Sequence, residues 1–303
     1  MSQLATFRQF QVFEAVARHR NFTKAAKELH LSQPAVSIQV KQLESAMGLP
    51  LTETIGKKMH LTEAGKVVFA CSQSIQQTLD NTLEMIHGMQ GLQKGKINIA
   101  VATTASYFAI DLLSQFAAIY PEVEISLDVS NRKALVEQLE QNVCDMVVMG
   151  EPPSDIPTDS RAIMDNPLVL VASPKHPLAK HEKRIQLAEL ANLPFLVREV
   201  GSGTRAAVER FFAQHGLPLN ICMEMTSNET IKRAAMANMG LGIASKHTLD
   251  LELQTQSLVM LDVEQFPIMR NWYVVVSHGK KLSPIAMRLK DFIVDKATHY
   301  ASV

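Results

Sequence analysis

The chain has 303 residues, of which 47% are hydrophobic, and its formal net charge at pH 7 is zero. This length and composition are typical of a globular protein with more than one domain. No apolar run reaches the roughly 20 residues that a membrane-spanning helix needs, and the N-terminus MSQLATFRQF lacks the basic-then-apolar order of a signal peptide. We therefore expect a cytoplasmic protein without a membrane partner.

The first 65 residues carry positive charge that the zero total hides. They contain eight Lys and Arg residues against five Glu residues, so this segment has a formal charge of +3 and the remainder of the chain −3. The overall charge alone would argue against nucleic acid as a partner. A small basic module ahead of a slightly acidic body, however, could still bind nucleic acid.

Three helices are predicted in this basic segment. Residues 7–17 and 22–29 have apolar side chains at helical spacing. The third helix begins in LSQPAVSIQVKQLE (31–44), where Ser32 is a suitable N-cap and Pro34 lies in the first turn. Two short helices that lead into a third through the tight connection HLS have the layout of a helix-turn-helix unit.

The third predicted helix has two different faces. Its apolar face consists of Val36, Val40 and Leu43, which are expected to pack on a core. Another face carries Gln33, Ser37 and Lys41 at four-residue spacing. Gln and Ser near a helix N-terminus can hydrogen-bond to base edges in the major groove of DNA. A solvated amphipathic helix is the alternative interpretation, which these fourteen residues alone do not exclude.

A hairpin and a long helix are predicted next. The segment LPLTETIGKKMHL after Gly48 favours two short strands around a turn at Gly56, Lys57 and Lys58, which would form a wing whose lysines contact phosphate or the minor groove. Residues 1–62 are thus predicted to form a winged helix-turn-helix domain.

Thr62 is predicted to cap a helix that begins at Glu63, and no proline interrupts residues 51–120. Apolar residues recur in this helix at seven-residue spacing, which favours a dimerising linker over residues 63–92. A helix packed within its own domain is the alternative. The predicted dimerisation residues are Val68, Ile75, Leu79 and Ile86.

The chain alternates between strand and helix patterns from residue 93 onward, which indicates α/β architecture, and the units between 97 and 150 imply a mostly parallel sheet. We predict strands at 97–102, 123–130, 144–150, 168–173, 194–197, 221–225, 241–244, 258–263 and 272–277. The helices between them are predicted at 106–119, 133–142, 205–215, 229–238 and 284–297. Residues 93–303 are expected to form two lobes with a cleft between them, lobe I from about 93–165 and 267–303 and lobe II from about 166–266.

Three polar stretches follow predicted strands or precede predicted helices: ATTAS (102–106), SN (130–131) and GSGTR (201–205). Ligands bind at the carboxyl ends of parallel strands, where helix N-termini offer free N–H groups and a positive dipole. Together the three stretches would suit a small anionic or polyhydroxylated metabolite. At each stretch taken alone, simple helix capping is the alternative.

Catalytic and metal-binding motifs are not found in the sequence. GSGTR lacks the lysine and the length of a phosphate-binding loop, and neither a G-x-S-x-G nor an H-E-x-x-H motif occurs. Cys71, Cys144 and Cys222 are far apart and fit buried thiols in a reducing compartment. His176 and His181 are expected to be solvated loop residues. We therefore predict no catalytic residues, no metal and no cofactor.

The sequence resembles the LysR-type transcriptional regulators. FTKAAKELHLSQPAVSIQVKQLESAMGLPL and HLTEAG, between Phe22 and Gly65, match that family in register, and the similarity extends over essentially the whole chain, including GSGTR and GLGIA. Within the family, KGKINIAVATTASYFAIDLL and NVCDMVVMGEPP most resemble the regulators of Rubisco (Calvin-cycle) operons.

The resemblance implies a transcription regulator, typically an activator, that binds double-stranded operator DNA as a homodimer or homotetramer, contacts RNA polymerase and responds to a small-molecule effector. A phosphorylated sugar, phosphoenolpyruvate or a nicotinamide nucleotide are the candidate effectors it suggests. The implied DNA-binding residues are Gln33, Pro34, Ser37, Ile38, Lys41, Lys57 and Lys58. The candidate effector-binding residues are Thr103, Thr104, Ser106, Asn131, Gly150, Ser202 and Thr204.

Three residues depart from the family pattern. Ile38 stands where many relatives have Arg, which would replace a phosphate contact with an apolar one, for example to a thymine methyl group. Thr52 and Thr54 replace the Phe and Arg that are common at the start of the wing.

We therefore interpret the chain as a metabolite-responsive regulator of a carbon-fixation operon. A two-lobed solute-binding protein of the periplasmic type is the alternative, which the missing signal peptide and the basic N-terminal module oppose. An enzyme comes third, because the cleft residues offer hydroxyl and amide groups but no acid, base or metal set.

Overall fold

A computed structural model describes residues 5–56, 58–89, 94–181 and 183–300. They divide into two units, one formed by the elements up to Met89 and the other by those from Gly95 onward. None of the described helices is long and apolar enough to cross a membrane. The described residues also contain no cluster of His, Cys, Asp and Glu that could hold a metal ion.

The first unit contains the predicted helix-turn-helix, the hairpin and the long helix. Its elements are α1 (Phe7–His19), α2 (Phe22–Glu28), α3 (Gln33–Met47), β1 (Thr52–Ile55), β2 (Lys58–Leu61) and α4 (Glu63–Met89). Ser32 caps α3 by accepting a hydrogen bond from the backbone N–H of Ala35 at 3.4 Å. Gly48 ends α3 in the left-handed conformation that glycine adopts easily, with φ of +72°.

The apolar faces of α1, α2 and α3 meet in one core. As the spacing in α3 predicts, Val36, Val40 and Leu43 are all buried there. Because these side chains face inward, the opposite face of α3 lies on the surface of the unit.

The hairpin is joined tightly to the helices around it. The carboxylate of Glu44 on α3 accepts hydrogen bonds from the backbone N–H groups of Leu51 and Thr52, at 2.8 and 3.2 Å, and from the Thr52 hydroxyl at 3.3 Å. A Cβ atom at Gly65 would lie 2.0 Å from the Leu51 carbonyl oxygen, so only glycine fits where α4 passes the hairpin. Thr62 caps α4 as predicted, accepting from the Gly65 N–H at 3.0 Å.

The second unit contains two five-stranded sheets. Its strands are β3 (Gly95–Ala102), β4 (Val123–Ser130), β5 (Met146–Met149), β6 (Thr158–Asp165), β7 (Leu168–Ala172), β8 (Phe195–Arg198), β9 (Ile221–Met225), β10 (Leu241–Ser245), β11 (Val259–Met260) and β12 (Asn271–Ser277). Its α-helices are α5 (Ser106–Ile119), α6 (Arg132–Glu140), α7 (Gly203–Gln214), α8 (Asn228–Met236), α9 (Asp250–Gln254) and α10 (Pro284–Tyr300). Short 3-10 turns lie at Pro177–Lys180, Leu187–Leu190 and Lys246–Thr248.

The sheets have the strand orders β4-β3-β5-β12-β6 and β11-β7-β10-β8-β9. Helices α5 and α10 pack on one face of the first sheet and α6 on the other, while α7 and α8 cover the two faces of the second. Each sheet with its helices forms one lobe, so the α/β fold with two lobes is confirmed.

The predicted parallel pairing within residues 97–150 is confirmed, since β3 pairs parallel with both β4 and β5, but the complete sheets are not mostly parallel. β12 pairs antiparallel with both β5 and β6, and β7 pairs antiparallel with both β10 and β11, so each sheet is mixed. Strand β6 is absent from the prediction because it is an edge strand with mostly exposed, polar residues. Such a strand lacks the apolar pattern that identifies a buried one.

The chain crosses between the lobes twice, after β6 and before β12, and the two crossover segments are hydrogen-bonded to each other. The Asn166 N–H donates to the Arg270 carbonyl at 2.7 Å, and Leu168 and Ile268 exchange bonds of 3.0 and 2.9 Å. The Asn166 side chain also accepts a 2.7 Å hydrogen bond from the buried Ser245 hydroxyl. The two crossovers therefore form one connected hinge between the lobes.

Candidate DNA-binding and effector sites

The outer face of α3 carries the residues predicted to bind DNA. Gln33, Pro34, Ile38 and Lys41 are exposed, and Ser37 is half-buried. Ile38 is 54% exposed, although it is a large apolar side chain on a helix whose other apolar residues are buried. An exposed isoleucine beside hydrogen-bonding side chains suits contact with a thymine methyl group.

The hairpin has the form of a wing. β1 and β2 pair antiparallel from Thr52 opposite Leu61 to Ile55 opposite Lys58, and Gly56 starts the turn with φ of +65°. Lys58 is exposed at the start of β2, next to the turn, and Lys57 lies outside the described residues. The departure at Thr52 has a structural role, since its hydroxyl group hydrogen-bonds to Glu44 on α3.

A groove of about 460 Å³ runs along α4. Ile75 and Leu79 line it together with the Phe7 side chain at the start of α1, and Leu79 is 40% exposed. Ile86 is also exposed farther along the helix, whereas Val68 packs against the core of the unit. Two of the four predicted dimerisation residues, Leu79 and Ile86, are thus exposed on α4, whereas Val68 and Ile75 are half-buried. The complete lining of the groove is Phe7, Cys71, Ser74, Ile75, Thr78, Leu79 and Thr82.

The second unit has a cavity between its lobes, at the carboxyl ends of β3, β4, β5 and β8 and at the N-terminus of α7. Its lining is Ala102, Thr103, Thr104, Asn131, Arg132, Leu135, Met149, Gly150, Glu151, Arg198, Ser202, Gly203, Thr204, Arg270 and Trp272. This is the position where strand ends and helix N-termini commonly bind anions.

Six of the seven candidate effector residues line this cavity, namely Thr103, Thr104, Asn131, Gly150, Ser202 and Thr204. Ser106 does not line it, and its hydroxyl group donates a 2.8 Å hydrogen bond to the Thr103 carbonyl. The Asn131 amide group bridges two elements, accepting from the Ala134 N–H at 3.1 Å and donating to the Glu199 carboxylate at 3.2 Å.

Arginine residues that the sequence analysis did not select dominate the charge of the cavity. Arg198 is only 3% exposed and is paired with Glu199 through contacts of 2.8 and 3.1 Å, and it also donates to the Thr103 hydroxyl at 3.3 Å. Arg132 donates to the backbone carbonyl of Glu151. The Glu151 carboxylate in turn pairs with Arg210 of the other lobe at 2.6 Å.

Arg270 differs from Arg198 and Arg210 because no carboxylate of the described residues lies within ion-pairing distance of it. Its guanidinium group occupies a slot between two glycines: a Cβ atom at Gly150 would lie 2.4 Å from Nη2, and one at Gly203 would lie 3.7 Å from it. Burial lowers the pKa of Arg270 to about 10, with Glu151 opposing the shift and Arg132 adding to it. The group is therefore a half-buried cation at neutral pH.

The cavity has little free space with Arg270 in this position. Its volume is about 30 Å³, which holds about one water molecule. A ligand larger than water therefore requires the Arg270 side chain or the lobes to move. In the absence of a partner carboxylate, an anionic ligand would compensate the charge of Arg270.

The lobes are also linked by a polar cluster beside the cavity, formed by Tyr107, Glu229, Lys232, Thr248 and Glu252. The Tyr107 hydroxyl on α5 donates to Glu229 on α8. Lys232, only 4% exposed, lies 2.6 Å from Glu229, 2.9 Å from Glu252 and 3.1 Å from the Thr248 carbonyl. This cluster ties the start of α5, which follows Thr103 and Thr104, to the second lobe.

The cysteines and histidines only partly match the expectation. Cys144 is buried, which raises the pKa of its thiol to about 11, but Cys71 and Cys222 are exposed because they lie on the outer face of α4 and on the edge strand β9. His176 is not a solvated loop residue: it is half-buried and its Nδ1 accepts a hydrogen bond from the Leu178 N–H at 3.2 Å. His181 is exposed.

Two family models match the chain. The model of the bacterial regulatory helix-turn-helix protein of the lysR family matches residues 7–66, and that of the LysR substrate binding domain matches residues 90–298. Together they cover the winged helix-turn-helix and both lobes.

Curated relatives and solved structures agree with these matches. The chain is 49% identical over 292 residues to a RuBisCO operon transcriptional regulator from Allochromatium vinosum, with 96% of each chain covered. It is 45% identical over 301 residues to the HTH-type transcriptional activator CmpR from Synechocystis sp., with 99% of each covered. The regulatory domain of CcmR from Synechocystis, solved in complex with 2-PG, is 38% identical with a TM-score of 0.65, over 67% of this chain and 98% of that one.

These relatives are regulators rather than enzymes or solute-binding proteins, which disfavours both alternative functions. The winged helix-turn-helix accounts for the basic N-terminal segment, and the two-lobed unit accounts for the cavity. The chain is therefore a DNA-binding transcriptional regulator and belongs to the LysR family.

Proposed function

We propose that the protein binds operator DNA of a Rubisco or other carbon-fixation operon and that an anionic metabolite in the cavity between its lobes changes transcription by RNA polymerase. The proposed type of target operon is supported by the relatives, which are named as a RuBisCO operon regulator and the transcriptional activator CmpR. The observation that carries the anionic effector is the half-buried guanidinium group of Arg270, which lines the cavity and has no carboxylate partner among the described residues.

The surface of α3 supports recognition of base edges. Gln33 and Ser37 are uncharged and lie near the N-terminus of the helix, where a recognition helix contacts bases. Lys58 on the wing and Lys41 on α3 are cations suited to phosphate, which positions the protein without specifying sequence.

Gln33→Ala is expected to weaken binding to the cognate operator by about 1 to 3 kcal/mol while changing binding to random DNA little, because a base-reading hydrogen bond is lost. Lys58→Ala should weaken binding to both DNAs. It should also make the slope of the logarithm of the binding constant against the logarithm of the salt concentration less steep by about one unit. Fluorescence anisotropy titrations of both variants at several salt concentrations measure these effects. Equal weakening of both DNAs by Gln33→Ala would contradict base readout.

The chemistry of the cavity supports a phosphorylated metabolite as the effector. Arg132, Arg198 and Arg270 face two carboxylates, Glu151 and Glu199, so the cavity has an excess of positive charge. Ser202, Gly203 and Thr204 at the N-terminus of α7 add hydroxyl groups and backbone N–H groups, which suit phosphate oxygens. The CcmR domain bound to 2-PG makes 2-phosphoglycolate a suitable first probe.

Replacing Thr104 or Thr204 by Val keeps the side-chain shape but removes a donor, so each change is expected to weaken effector binding by about 1.5 to 3 kcal/mol. Calorimetry with 2-phosphoglycolate, phosphoenolpyruvate and a nicotinamide nucleotide measures the loss, and operator titrations with and without effector measure its consequence. Thr158→Val, at the far end of β6, is the matched control. If both cavity variants bound the effector as tightly as wild type, the effector site would have to lie elsewhere in the protein.

We further propose that two copies of the chain pair through the groove on α4. Leu79 and Ile86 are exposed apolar residues, the half-buried Ile75 lines the groove beside Leu79, and the helical spacing of the three suits a second helix. A dimer would hold two recognition helices at a fixed spacing on a two-fold symmetric operator, and dimers could assemble further into tetramers.

A further inference from the structure

Trp272 is the only tryptophan of the chain, and its indole ring is buried. The side chain is 2% exposed, and among the described residues its Nε1 has no hydrogen-bond partner. A buried tryptophan N–H usually finds an acceptor, because leaving it unpaired costs the free energy of its lost hydration. The orphaned donor therefore requires an explanation.

The position of Trp272 connects this donor with the effector cavity. Trp272 lines the cavity and follows Arg270 by two residues on the segment that enters the first lobe from the hinge. Side chains two residues apart on an extended segment point to the same side. Both residues line the same cavity.

The indole ring is held in place by the core of the lobe. Phe108 on α5 packs against it with ring centroids 5.8 Å apart, and the ring belongs to the same apolar cluster as Val274 on β12. A ring fixed in this way offers its N–H to a ligand at little entropic cost.

We propose that the Trp272 indole N–H donates a hydrogen bond to an anionic oxygen of the effector, beside the charge of Arg270. This inference rests on the proposed effector site and adds to it the residue that selects for an oxygen acceptor. Indole N–H is a donor only, so the bond favours phosphate or carboxylate oxygens over apolar and donor-only groups. Because Arg270 lies in the second crossover, just before Trp272 on β12, an effector held by both residues would contact the hinge itself.

Trp272→Phe tests the bond, since phenylalanine keeps an aromatic ring in the core but has no N–H donor. We expect 2-phosphoglycolate to bind this variant of the full-length protein about 10- to 100-fold more weakly than wild type in calorimetry. Tyr273→Phe is the matched control, because Tyr273 does not line the cavity, and it should bind within about threefold of wild type. Equal binding by Trp272→Phe and wild type would overturn the inference.

A measurement on the wild-type protein is independent of any folding defect in the variant. With isotope-labelled tryptophan, the chain gives a single indole N–H resonance, since it has one tryptophan. We expect 2-phosphoglycolate to shift that resonance downfield and to slow its hydrogen exchange, and glycolate, which lacks the phosphate, to do so less.

The outcomes separate this inference from the proposed function. If 2-phosphoglycolate bound without moving the indole resonance, the effector would not be accepting a hydrogen bond from Trp272. That result would overturn the role of Trp272 but leave the effector site in place. If the wild type bound neither 2-phosphoglycolate, phosphoenolpyruvate nor inorganic phosphate, the anionic effector site would fail, and the role of Trp272 would fail with it.

Discussion

Replacing both Ile75 and Leu79 by Asp is expected to convert the protein to monomers and to weaken operator binding by roughly 10²- to 10⁴-fold, because binding of one half-site would no longer assist the other. Each new carboxylate would have to lose its hydration in an apolar groove against a like charge on the second copy. Sedimentation velocity and operator titration measure the two effects.

Two controls separate pairing from a general effect of added charge. Leu251→Asp adds a carboxylate at an exposed leucine of the second unit and should leave the dimer intact. Mixing the double-Asp protein with a double-Lys protein at the same two positions should restore pairing through opposite charges. Intact dimers of the double-Asp protein would show that the groove on α4 is not the dimer interface.

Replacing Lys232 by Met should lower the free energy of unfolding of the second unit by about 3 to 5 kcal/mol, because it leaves the buried carboxylate of Glu252 without its cation. Glu229 is less affected, since it is more exposed to water. Urea unfolding followed through the fluorescence of Trp272 reports on this unit, because the only tryptophan lies in it.

The pKa of Lys232 determines the pH range over which its ion pairs stabilise the second unit. Burial alone would lower the pKa of Lys232, but hydrogen bonds to Glu229 and Glu252 outweigh it and raise the pKa. The stabilisation is therefore complete below the ordinary lysine pKa of about 10.5 and is lost as the pH rises through the raised value.

A second change tests the stated cause. Adding Glu252→Gln to Lys232→Met removes the stranded charge and should restore part of the stability, whereas Lys175→Met at an exposed lysine should change it by about 0.5 kcal/mol or less. A loss below about 1 kcal/mol for Lys232→Met would mean that the buried ion pairs contribute little to stability.

The helices were predictable because their signals are local. Ser32, Pro34 and the spacing of Val36, Val40 and Leu43 fix α3 in both start and orientation, and no distant residue is needed. Strand β6 was not predictable in this way, because only Ile163 and Met164 in it are buried and its pairing partner β12 lies more than 100 residues farther along the chain.

The same distinction applies to the cavity. Thr103, Thr104, Ser202 and Thr204 could be selected because hydroxyl residues at helix starts are a local pattern. Arg270 and Trp272 follow no such pattern, since the segment MRNWYVVV is ordinary for the beginning of a strand. Only the return of the chain from the second lobe brings them to the cavity, and with them the charge that most strongly favours an anion.

The position of β12 in the first sheet has a consequence for the order in which the protein folds during synthesis. β12 lies between β5 and β6, although the whole second lobe separates it from them in the sequence. The second lobe is contiguous and is complete on the ribosome while β6 still lacks its only neighbour, so it can fold first. A released chain truncated after Pro267 would then contain one protease-resistant lobe and one unfinished one, and limited proteolysis of that truncated chain would test whether the second lobe folds without the completed first sheet.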